Sequence, residues 1–536
     1  MTATAQRAQA AEGAAAGAAV PSPSSAWRAR ILPPTSGRGG WLPALAVGLL
    51  AGLLRLVRLD IPRGRIFDEI YYVCDAQNLL RYGVEAGTEG NTDDDQTIQA
   101  GCTPNGQPGF IVHPPLGKWA IGLGMRLFGV HEFGWRVAAA VAGTIMVVVL
   151  VRVTRRMTGS IVLGCFAGLL LALDGLHFVQ SRVAMLDIFL AAWVLGAFAC
   201  LVADRDAVRR RLAVTDGEEL TGWGPRLGWR PWRLAAGVCL GAAVATKWSG
   251  LYYVVVLVLL AFAWEVGARR TAGVRAPVRA TVVRSGALLL ATLVVLPAAL
   301  YVLSWFGWFA SSAADQLAWD RHWADTHEAG GLVGLVPDGL RSWWHYHVAQ
   351  FTFHDDLRQK HPYQSHPAGW LLLARPVSYY YPQNVGAGDY GCEVESCSRE
   401  VLAIGTPAIW WIMIPALFAL LWLWLARRDW RPAAVLVMVL TAILPWVRDD
   451  LDGRTMFQFY ALPAVPFMCL GLALIAGALV GSRARASARR RTAAILGAGV
   501  YLAVVVVNFA YLYPVLAAQT LPYGAWRSRM WFSSWI

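Results

Sequence analysis

Residues 287–303 read ALLLATLVVLPAALYVL and carry no charged side chain, and residues 415–426, PALFALLWLWLA, show the same pattern. A helix that crosses the hydrocarbon core of a bilayer, about 30 Å thick, needs about 20 predominantly apolar residues. Such a helix also satisfies its own backbone hydrogen bonds, which lipid cannot do. Because runs of this kind recur along the chain, the sequence predicts an all-α polytopic membrane protein.

Composition supports this class for the whole chain of 536 residues. Hydrophobic residues make up 57% and charged residues 15%, against about 25% charged residues in soluble proteins. The net charge of +13 is concentrated in short loops between apolar runs, where it sets the orientation of the chain in the membrane. No basic stripe carries interleaved stacking aromatics, so no nucleic-acid partner is expected.

Eleven transmembrane helices are predicted, with the N-terminus in the cytoplasm. Their centres lie near Gly48, Val141, Ala167, Leu190, Leu240, Val256, Leu293, Ala416, Met438, Gly471 and Val504. Arginine clusters fall at 152–156, 205–211, 269–279, 427–431 and 483–491. Eleven spans place every cluster on the cytoplasmic side, as the positive-inside rule requires. The C-terminus is then external.

This topology divides the chain into three parts. Residues 1–38, rich in Ala, Gly, Ser and Pro, predict a disordered cytoplasmic tail. Residues 39–516 form the transmembrane domain, and residues 517–536 an external tail. Two external loops, about 59–130 and 305–404, are rich in Trp, Tyr and His. Long loops of this composition favour function over disorder.

Four cysteines are assigned to the external side. They allow three disulfide connectivities, of which the simplest joins Cys74 to Cys102 and Cys392 to Cys397, and free thiols are the alternative. The oxidising compartment favours disulfides. The other cysteines lie in apolar runs and are interpreted as core residues: Cys165, Cys200, Cys239 and Cys469.

Two motifs of the first loop are candidates for chemistry. In FDEIYY, residues 67–72, Asp68 and Glu69 place two carboxylates near the membrane surface, where charge is costly without a partner or a function. The alternative is a solvated pair of loop acids. In HPPLGKW, residues 113–119, the prolines fix an extended entry to an interfacial helix from Leu116 to Phe128. Its Lys118 could instead be a snorkelling side chain.

Further charges lie within or beside apolar runs, and on the predicted topology all approach the external side. They are Arg55, Arg136, Arg182, Asp187, Lys247 and Arg454. Charges in a membrane mark functional sites by default, and several converging cations favour a phosphate ligand. Internal ion pairs, for example between Arg182 and Asp187, are the alternative for one or two of them.

The second loop contains a block of Trp and His at 343–367. His345 and His347 are two residues apart, a spacing that suits one face of a strand. No carboxylate or cysteine completes a recognisable zinc spacing, so no metal or other cofactor is expected. Stacking of these rings on a sugar, or packing within the loop, is favoured.

Together these motifs resemble the protein O-mannosyltransferase family, whose members are membrane glycosyltransferases of the GT-C fold. Six segments match in family order between about residues 41 and 516. They are residues 67–69, 113–118, 182–187, 246–248, 343–367 and 454–463. The Arg- and Ala-rich composition resembles an actinobacterial member. The second loop has no room for the β-trefoil MIR domain of fungal relatives, which leaves acceptor recognition unassigned.

The resemblance implies transfer of mannose from a polyprenyl-phosphate mannose to Ser or Thr hydroxyls of exported proteins, with inversion. Asp68 matches the family's general base, and Glu69 would orient the acceptor. Arg136 matches a functional arginine, and donor phosphate contacts are expected from Arg136, Arg55, Lys247 and Arg454. Substrate contacts are expected from His113, Lys118, Arg182, Asp187, His345 and His347. Secreted or membrane proteins are the expected acceptors, and unfolded acceptor segments favour work beside the secretion translocon.

Two other functions remain open from the sequence. A related GT-C enzyme could move an aminosugar or arabinose to a lipid or glycan, with the same Asp-Glu motif and topology. A transporter is disfavoured, because transporters usually show paired repeats with matching broken helices, and neither is visible in this sequence.

Overall fold

The structure is a computed structural model that describes residues 31–34, 39–88, 102–109, 112–215, 220, 222–482 and 486–536. Most of the predicted tail, 1–38, lies outside the described residues. Its described part is packed, since Ile31 is buried in a cluster with Val208 and Leu212. The Nε of Arg209 also donates to the carbonyl of Ile31 over 2.7 Å.

The fold is mostly helical. The longer helices, numbered in chain order, are α1 (Trp41–Leu56), α2 (Glu69–Tyr82), α3 (Leu116–Phe128), α4 (Glu132–Thr158), α5 (Ile161–Ala172), α6 (Gly175–Gln180), α7 (Asp187–Ala213), α8 (Pro231–Thr246), α9 (Gly250–Thr271), α10 (Pro277–Ser304), α11 (Asp338–Asp355), α12 (Pro407–Arg427), α13 (Trp430–Leu451), α14 (Gln458–Val480) and α15 (Ala488–Leu516). Short helices, not numbered, are Phe306–Ala310, Ala314–Leu317, Pro367–Trp370 and Tyr523–Arg527. The 3₁₀ turns are Trp323–Thr326, Gly331–Leu335, Asp389–Gly391 and Ser533–Trp535.

Within the described residues, eight helices are long and apolar enough to cross a membrane, namely α4, α7, α9, α10, α12, α13, α14 and α15. All eleven predicted span centres lie within helices. The remaining three lie in shorter helices: Gly48 in α1 with 16 residues, Ala167 in α5 with 12 and Leu240 in α8 with 16. The chain is thus a multi-pass membrane protein, and the count of eleven spans stays a prediction.

Local signals explain several helix ends. The Oγ of Ser160 accepts a hydrogen bond from the amide of Leu163 and caps α5, as side-chain oxygens commonly do at this position. Helix α4 ends at Gly159, whose φ of 75° is a left-handed conformation that glycine adopts without steric cost. The predicted helix from Leu116 to Phe128 has the bounds of α3.

Three antiparallel two-stranded ladders occur among the described residues. β1 (Ala86–Thr88) pairs with β2 (Pro104–Pro108), β3 (Val377–Tyr380) with β5 (Val401–Ala403), and β4 (Cys397–Arg399) with β6 (Thr520–Pro522). The β4–β6 pair attaches the last segment of the chain to the second loop. The predicted disulfides Cys74–Cys102 and Cys392–Cys397 are both present.

The bundle brings the beginnings of four helices to one end. Asp68 precedes α2, Asp187 begins α7, Lys247 precedes α9, and Arg454 precedes α14. At the opposite end of α7–α9, a buried ion network of Arg230, Asp204, Glu265, Arg233 and Arg269 ties these helices together, with nitrogen–oxygen distances from 2.5 Å to 3.4 Å. The candidate site lies at the end that holds Asp68.

Candidate active site

The two carboxylates of the FDEIYY motif have different environments. Glu69 is fully buried, and both of its oxygens receive hydrogen bonds from Arg136 over 2.8 Å. The amides of Ala184 and Ile66 also donate to Glu69, over 2.9 Å and 3.0 Å. Because consecutive residues of a helix point in different directions, Asp68 is left to face the other way.

Arg136 forms the other half of this buried pair. Its two Nη atoms donate to the carbonyls of Pro62 over 2.7 Å and Gly64 over 2.9 Å. The side chain is fully buried. Its planar donor fork therefore holds Glu69 and the chain just before Asp68 at the same time. The structure does not bring Arg136 into the cavity described below.

Asp68 lies half-buried at the start of α2. The preceding Phe67 has φ of 50°, and its ring stacks on Tyr379 with centroids 4.3 Å apart. The hydroxyl of Tyr72, one turn along α2, donates to Asp68 over 3.4 Å. Burial raises the pKa of Tyr72 well above its ordinary value, and the charge of Asp68 adds to this effect. Tyr72 therefore stays a hydrogen-bond donor to the carboxylate.

Lys247 lies close enough to Asp68 to interact with it electrostatically. Its ammonium bonds both carboxylate oxygens of Asp187, at 2.9 Å and 3.0 Å, and lies 4.8 Å from the ring centre of Tyr460. The suggested pairing of Asp187 with Arg182 is not formed. The guanidinium of Arg182 instead donates to the backbone carbonyls of residues 54, 55, 57 and 58.

A cavity of about 1000 Å³ opens beside this pair. Its polar part is lined by His113, Lys247, Trp248, His347, His354, Asp449, Arg454 and Tyr460. Its apolar part is lined by Val244, Leu251, Val254, Val294, Pro297, Val302, Val348 and Phe351. The charged side chains of the lining are Lys247, Arg448 and Arg454 together with Asp355, Asp449 and Asp452. The cavity therefore joins a charged, aromatic end to apolar walls made largely by the transmembrane helices α9 and α10.

Arg454 and a pair of histidines complete the polar end. The Nε of Arg454 donates to the carbonyl of His354 over 2.9 Å, and its Nη1 lies 3.5 Å from Asp449. The rings of His354 and His113 stack with centroids 5.3 Å apart. Burial lowers the pKa of His113 well below its ordinary value, so its imidazole remains uncharged beside the cations.

The two histidines of the Trp-His block lie on helix α11 and not on a strand, which corrects the expectation from their spacing. His347 lines the cavity, approaches the hydroxyl of Tyr301 at 2.7 Å and stacks on Trp248. His345 points away, stacked on Trp323 with centroids 4.3 Å apart. A helix separates residues i and i+2 by about 200°, so only His347 reaches the cavity.

Burial lowers the pKa of both His347 and His354 from 6.5 to about 4. The unfolded chain therefore binds protons that the folded chain does not, and stability is lost as the pH falls from 6.5 towards 4. We expect the unfolding midpoint of the double variant His347→Gln, His354→Gln to fall less between pH 6.5 and pH 4 than that of the wild type. Unfolding in detergent, followed by intrinsic fluorescence, measures this. An identical decline in both proteins would contradict it.

Lys118 lies in a separate buried cluster. Its ammonium contacts Asp75 at 2.9 Å and Glu85 at 2.8 Å and is only 1% exposed, so it does not snorkel. Burial raises the pKa of Glu85, and the charge of Lys118 opposes this rise. The cluster joins α2, α3 and the segment before β1, and therefore supports the helix that follows Asp68.

Arg55 also lies away from the cavity lining. It is fully buried in α1, where its Nη2 approaches Nδ1 of His177 at 2.7 Å and its Nη1 donates to the carbonyl of Ala51. Of the predicted site residues, the structure brings His113, Lys247, His347 and Arg454 to the cavity and Asp68 and Asp187 beside it. The others serve the packing around it.

Sequence reasoning missed the aromatic hydroxyls of the site. Tyr72, Tyr379 and Tyr460 surround the Asp68–Lys247 region, and Tyr301 orients His347. Tyr72 had a local signal, since it is four residues after Asp68 on a helix, the spacing at which side chains meet. Tyr460 lies in the family-matching segment 454–463. Across the described residues, no group of three or more His, Cys, Asp or Glu is arranged to hold a metal ion.

Comparison with known proteins identifies the family. Residues 105–309 match the family described as dolichyl-phosphate-mannose-protein mannosyltransferase, and residues 339–535 match the C-terminal four-transmembrane region of protein O-mannosyltransferase. The chain is 38% identical over 512 residues to a polyprenol-phosphate-mannose–protein mannosyltransferase of Mycolicibacterium smegmatis, covering 92% of this chain and 93% of that one. The chain belongs to the protein O-mannosyltransferase family.

Another family member, from Mycobacterium tuberculosis, is 38% identical over 516 residues, with 92% of each chain covered. Among solved structures, the fold is similar to that of the Saccharomyces cerevisiae protein O-mannosyltransferase Pmt1-Pmt2 complex bound to the sugar donor. That match has a TM-score of 0.67 and 15% identity, and covers 93% of this chain and 92% of the other. The fold is therefore that of the GT-C glycosyltransferases.

Proposed function

We propose that this chain is a glycosyltransferase that transfers mannose from a polyprenyl-phosphate mannose to Ser or Thr hydroxyls of exported proteins. The cavity is the observation that carries the proposal. Its cations Lys247 and Arg454, at the end beside Asp68, suit a sugar phosphate, and its apolar walls between membrane helices suit a prenyl chain. Relatives that are 38% identical to this chain are named polyprenol-phosphate-mannose–protein mannosyltransferases, and these names give the same donor and a protein acceptor.

The donor phosphate is assigned to Lys247 and Arg454. Both line the cavity, and both already contact a carboxylate, Asp187 and Asp449 respectively. These carboxylates position the two cations. Charge-assisted hydrogen bonds to a phosphate are strong, and two cations offset the charge that develops on the leaving group. Polyprenyl phosphate then leaves without being protonated.

Asp68 is assigned as the general base. A Ser or Thr hydroxyl is a weak nucleophile and needs a base within hydrogen-bond reach of its proton. As the hydroxyl oxygen bonds to the anomeric carbon, the carbon–oxygen bond to the phosphate breaks and the proton passes to Asp68. A single displacement inverts the anomeric centre. One base with several cations therefore replaces the two spaced carboxylates of a glycosidase.

Glu69, Arg136, Lys118 and Arg182 are assigned as positioning residues. Their side chains are buried and bonded within the protein. The Glu69–Arg136 pair holds the backbone on both sides of Asp68 and so sets the direction of its carboxylate. This replaces the acceptor and phosphate contacts that the sequence suggested for Glu69 and Arg136.

The same reaction sets the proposed orientation. Acceptors that are being exported reach the enzyme on the external side, so we place Asp68 and the C-terminus outside and the N-terminus in the cytoplasm. This orientation also puts the arginine clusters in the cytoplasm. Acceptor segments that have not yet folded offer accessible hydroxyls, which favours work beside the secretion translocon.

The test is transfer of labelled mannose from synthetic polyprenyl-phosphate mannose to a Thr-rich peptide by the purified protein in detergent or nanodiscs. Peptide labelling with release of polyprenyl phosphate is expected. Donor consumption only when a lipid or glycan acceptor is added would replace the proposal with the related GT-C activity. Intact donor with every acceptor would refute both.

Lys247→Gln should raise the KM for the donor about 10- to 100-fold, because hydrogen bonds to charged groups contribute about 1.5–3 kcal/mol. The KM for the peptide should stay within about twofold of its wild-type value, a small effect on the same free-energy scale. Steady-state kinetics with each substrate varied in turn measures the difference, on protein whose thermal midpoint is also recorded, because Asp187 loses its buried partner.

Arg448→Gln is the matched control for this variant. Arg448 also lines the cavity, but its side chain is 89% exposed to solvent, so screening by water weakens its contacts. Its donor KM should change little. An unchanged donor KM in Lys247→Gln, or an equal change in both variants, would remove Lys247 from the phosphate site.

A further inference from the structure

The connection between α7 and α8 carries exposed tryptophan and arginine side chains. Residues 222–232 read GWGPRLGWRPW. Trp223, Trp229 and Trp232 are exposed, and Trp229 is exposed over 75% of its surface. Arg226 is exposed as well. The connection lies at the end of α8 that holds the buried ion network, opposite the candidate active site.

The backbone of this connection is bonded to the helices beneath it. Arg269 of α9 is fully buried and donates to the carbonyl of Trp223 over 3.4 Å and to that of Pro225 over 3.2 Å. Leu227 is buried in a cluster with Val274, which lies between α9 and α10. The exposed rings and guanidiniums therefore project from a packed support.

The connection between α9 and α10 adds two exposed arginines to the same surface. The guanidinium of Arg279, in the first turn of α10, lies 4.9 Å from the ring centre of Trp223. Arg275 directly follows Val274, whose side chain would lie only 2.9 Å from a Cβ on Gly224. Gly224 has φ of 65°, a conformation that glycine adopts without steric cost. The two connections therefore meet closely at this point.

The basic patch is defined here by its exposed side chains, namely Trp223, Arg226, Trp229, Trp232, Arg275 and Arg279. Neither Arg226 nor Arg275 has a side-chain hydrogen bond or ion pair with another described residue. Segments 222–233 and 266–290 contain no Asp or Glu, and the acidic residues at 216–219 lie outside the described residues. The ion network beneath holds three guanidiniums against two carboxylates. It therefore leaves the charge of the patch without compensation.

The place of the patch in the bundle selects a lipid headgroup as its partner. Helix α10 is long and apolar enough to span a bilayer, and its Val278 and Val282 are exposed at the end that bears the patch. Trp232 lies in the first turn of α8. Trp rings prefer the boundary between headgroups and acyl chains, and arginines just beyond a span attract anionic lipids. The patch therefore lies at the depth of the lipid phosphates.

We propose that the basic patch binds the phosphate headgroups of anionic phospholipids in the leaflet opposite the candidate active site. Arg226, Arg275 and Arg279 donate charge-assisted hydrogen bonds to the phosphate oxygens, whose geometry suits the planar guanidinium fork. Trp229 and Trp232 lie beside them, where the acyl chains begin. The surface is separate from the cavity, so the proposal is independent of mannose transfer.

The test replaces Trp229 with p-benzoylphenylalanine in the full-length protein. The nanodiscs contain equal amounts of phosphatidylglycerol and phosphatidylcholine with the same acyl chains. Irradiation couples the benzophenone to carbon–hydrogen bonds within its reach, and mass spectrometry identifies the lipid in each adduct. Phe418, which is 68% exposed in the middle of α12, receives the same replacement as the control, because an acyl-chain position samples lipids without selecting a headgroup.

The ratio of phosphatidylglycerol to phosphatidylcholine adducts should be at least about threefold higher at position 229 than at position 418, since each arginine near a membrane surface favours anionic lipid. The combined variant Arg226→Gln, Arg275→Gln, Arg279→Gln should lower the ratio at position 229 to that at position 418.

Equal ratios at the two positions without the arginine replacements would overturn the proposal, and so would an enrichment that survives them. Coupling of position 229 to residues 216–219, to a second copy of the chain or to another protein, in place of lipid, would also overturn it. Absence of lipid adducts at position 229, with position 418 labelled, would have the same consequence.

Discussion

Asp68→Asn is expected to lower the rate of mannose transfer by at least about 100-fold, since a positioned general base contributes about 10²–10⁴. The amide keeps the size of the side chain and can still accept the hydrogen bond from Tyr72, but it cannot take the proton of the acceptor hydroxyl. The donor KM should be little affected, because Lys247 and Arg454 remain. Initial rates with donor and peptide at saturation measure the loss.

Asp60→Asn provides the matched control for Asp68→Asn. Asp60 lies in the same loop, is partly exposed and pairs with Arg63 at 2.9 Å, so its loss should leave transfer near the wild-type rate. Both variants should elute from size exclusion as the wild type does. Transfer by Asp68→Asn at the wild-type rate would remove Asp68 as the base.

Arg136→Ala is expected to destabilise the protein by about 3–5 kcal/mol, the usual cost of leaving one member of a buried ion pair without its partner. Glu69 would keep a buried charge, and the carbonyls of Pro62 and Gly64 would lose their donors. Arg136→Lys should also lower the stability of the protein, because an ammonium cannot reproduce the planar fork that bonds both oxygens of Glu69. The yield of monodisperse protein and its thermal midpoint measure both losses.

Arg63→Ala separates this effect from the loss of any arginine in the region. Arg63 lies in the same loop as Pro62 and Gly64, but its side chain is 70% exposed. Its replacement should therefore change the stability of the protein little. An Arg136→Ala protein as stable as the wild type, with a raised donor KM, would instead return Arg136 to the phosphate site.

The secondary structure of the membrane part was largely readable from the chain. All eleven predicted centres lie in helices because apolar runs in lipid have few other ways to satisfy their backbone. The bounds of α3 and both disulfides were also predicted. The disulfides followed the local pairing that was the simplest of the three possible connectivities.

The neighbourhood of each charged residue was much less predictable. Arg136, Arg55 and Lys247 all read as cations near one membrane surface, yet only Lys247 lines the cavity. The difference arises from the direction of each side chain. Arg136 meets Glu69, which is 67 residues away in sequence, and no local pattern records that contact.

The sequence by itself determined the class of the protein and the placement of its helices, because hydropathy is a property of neighbouring residues. The resemblance to the family made Asp68 the candidate base. Only the tertiary structure decided that Glu69 pairs with Arg136, that Asp187 pairs with Lys247 and that His345 points away from the cavity. These outcomes depend on how helices far apart in the chain pack and rotate against one another. A buried charge takes whichever partner that packing brings within reach, since it is too costly to leave alone.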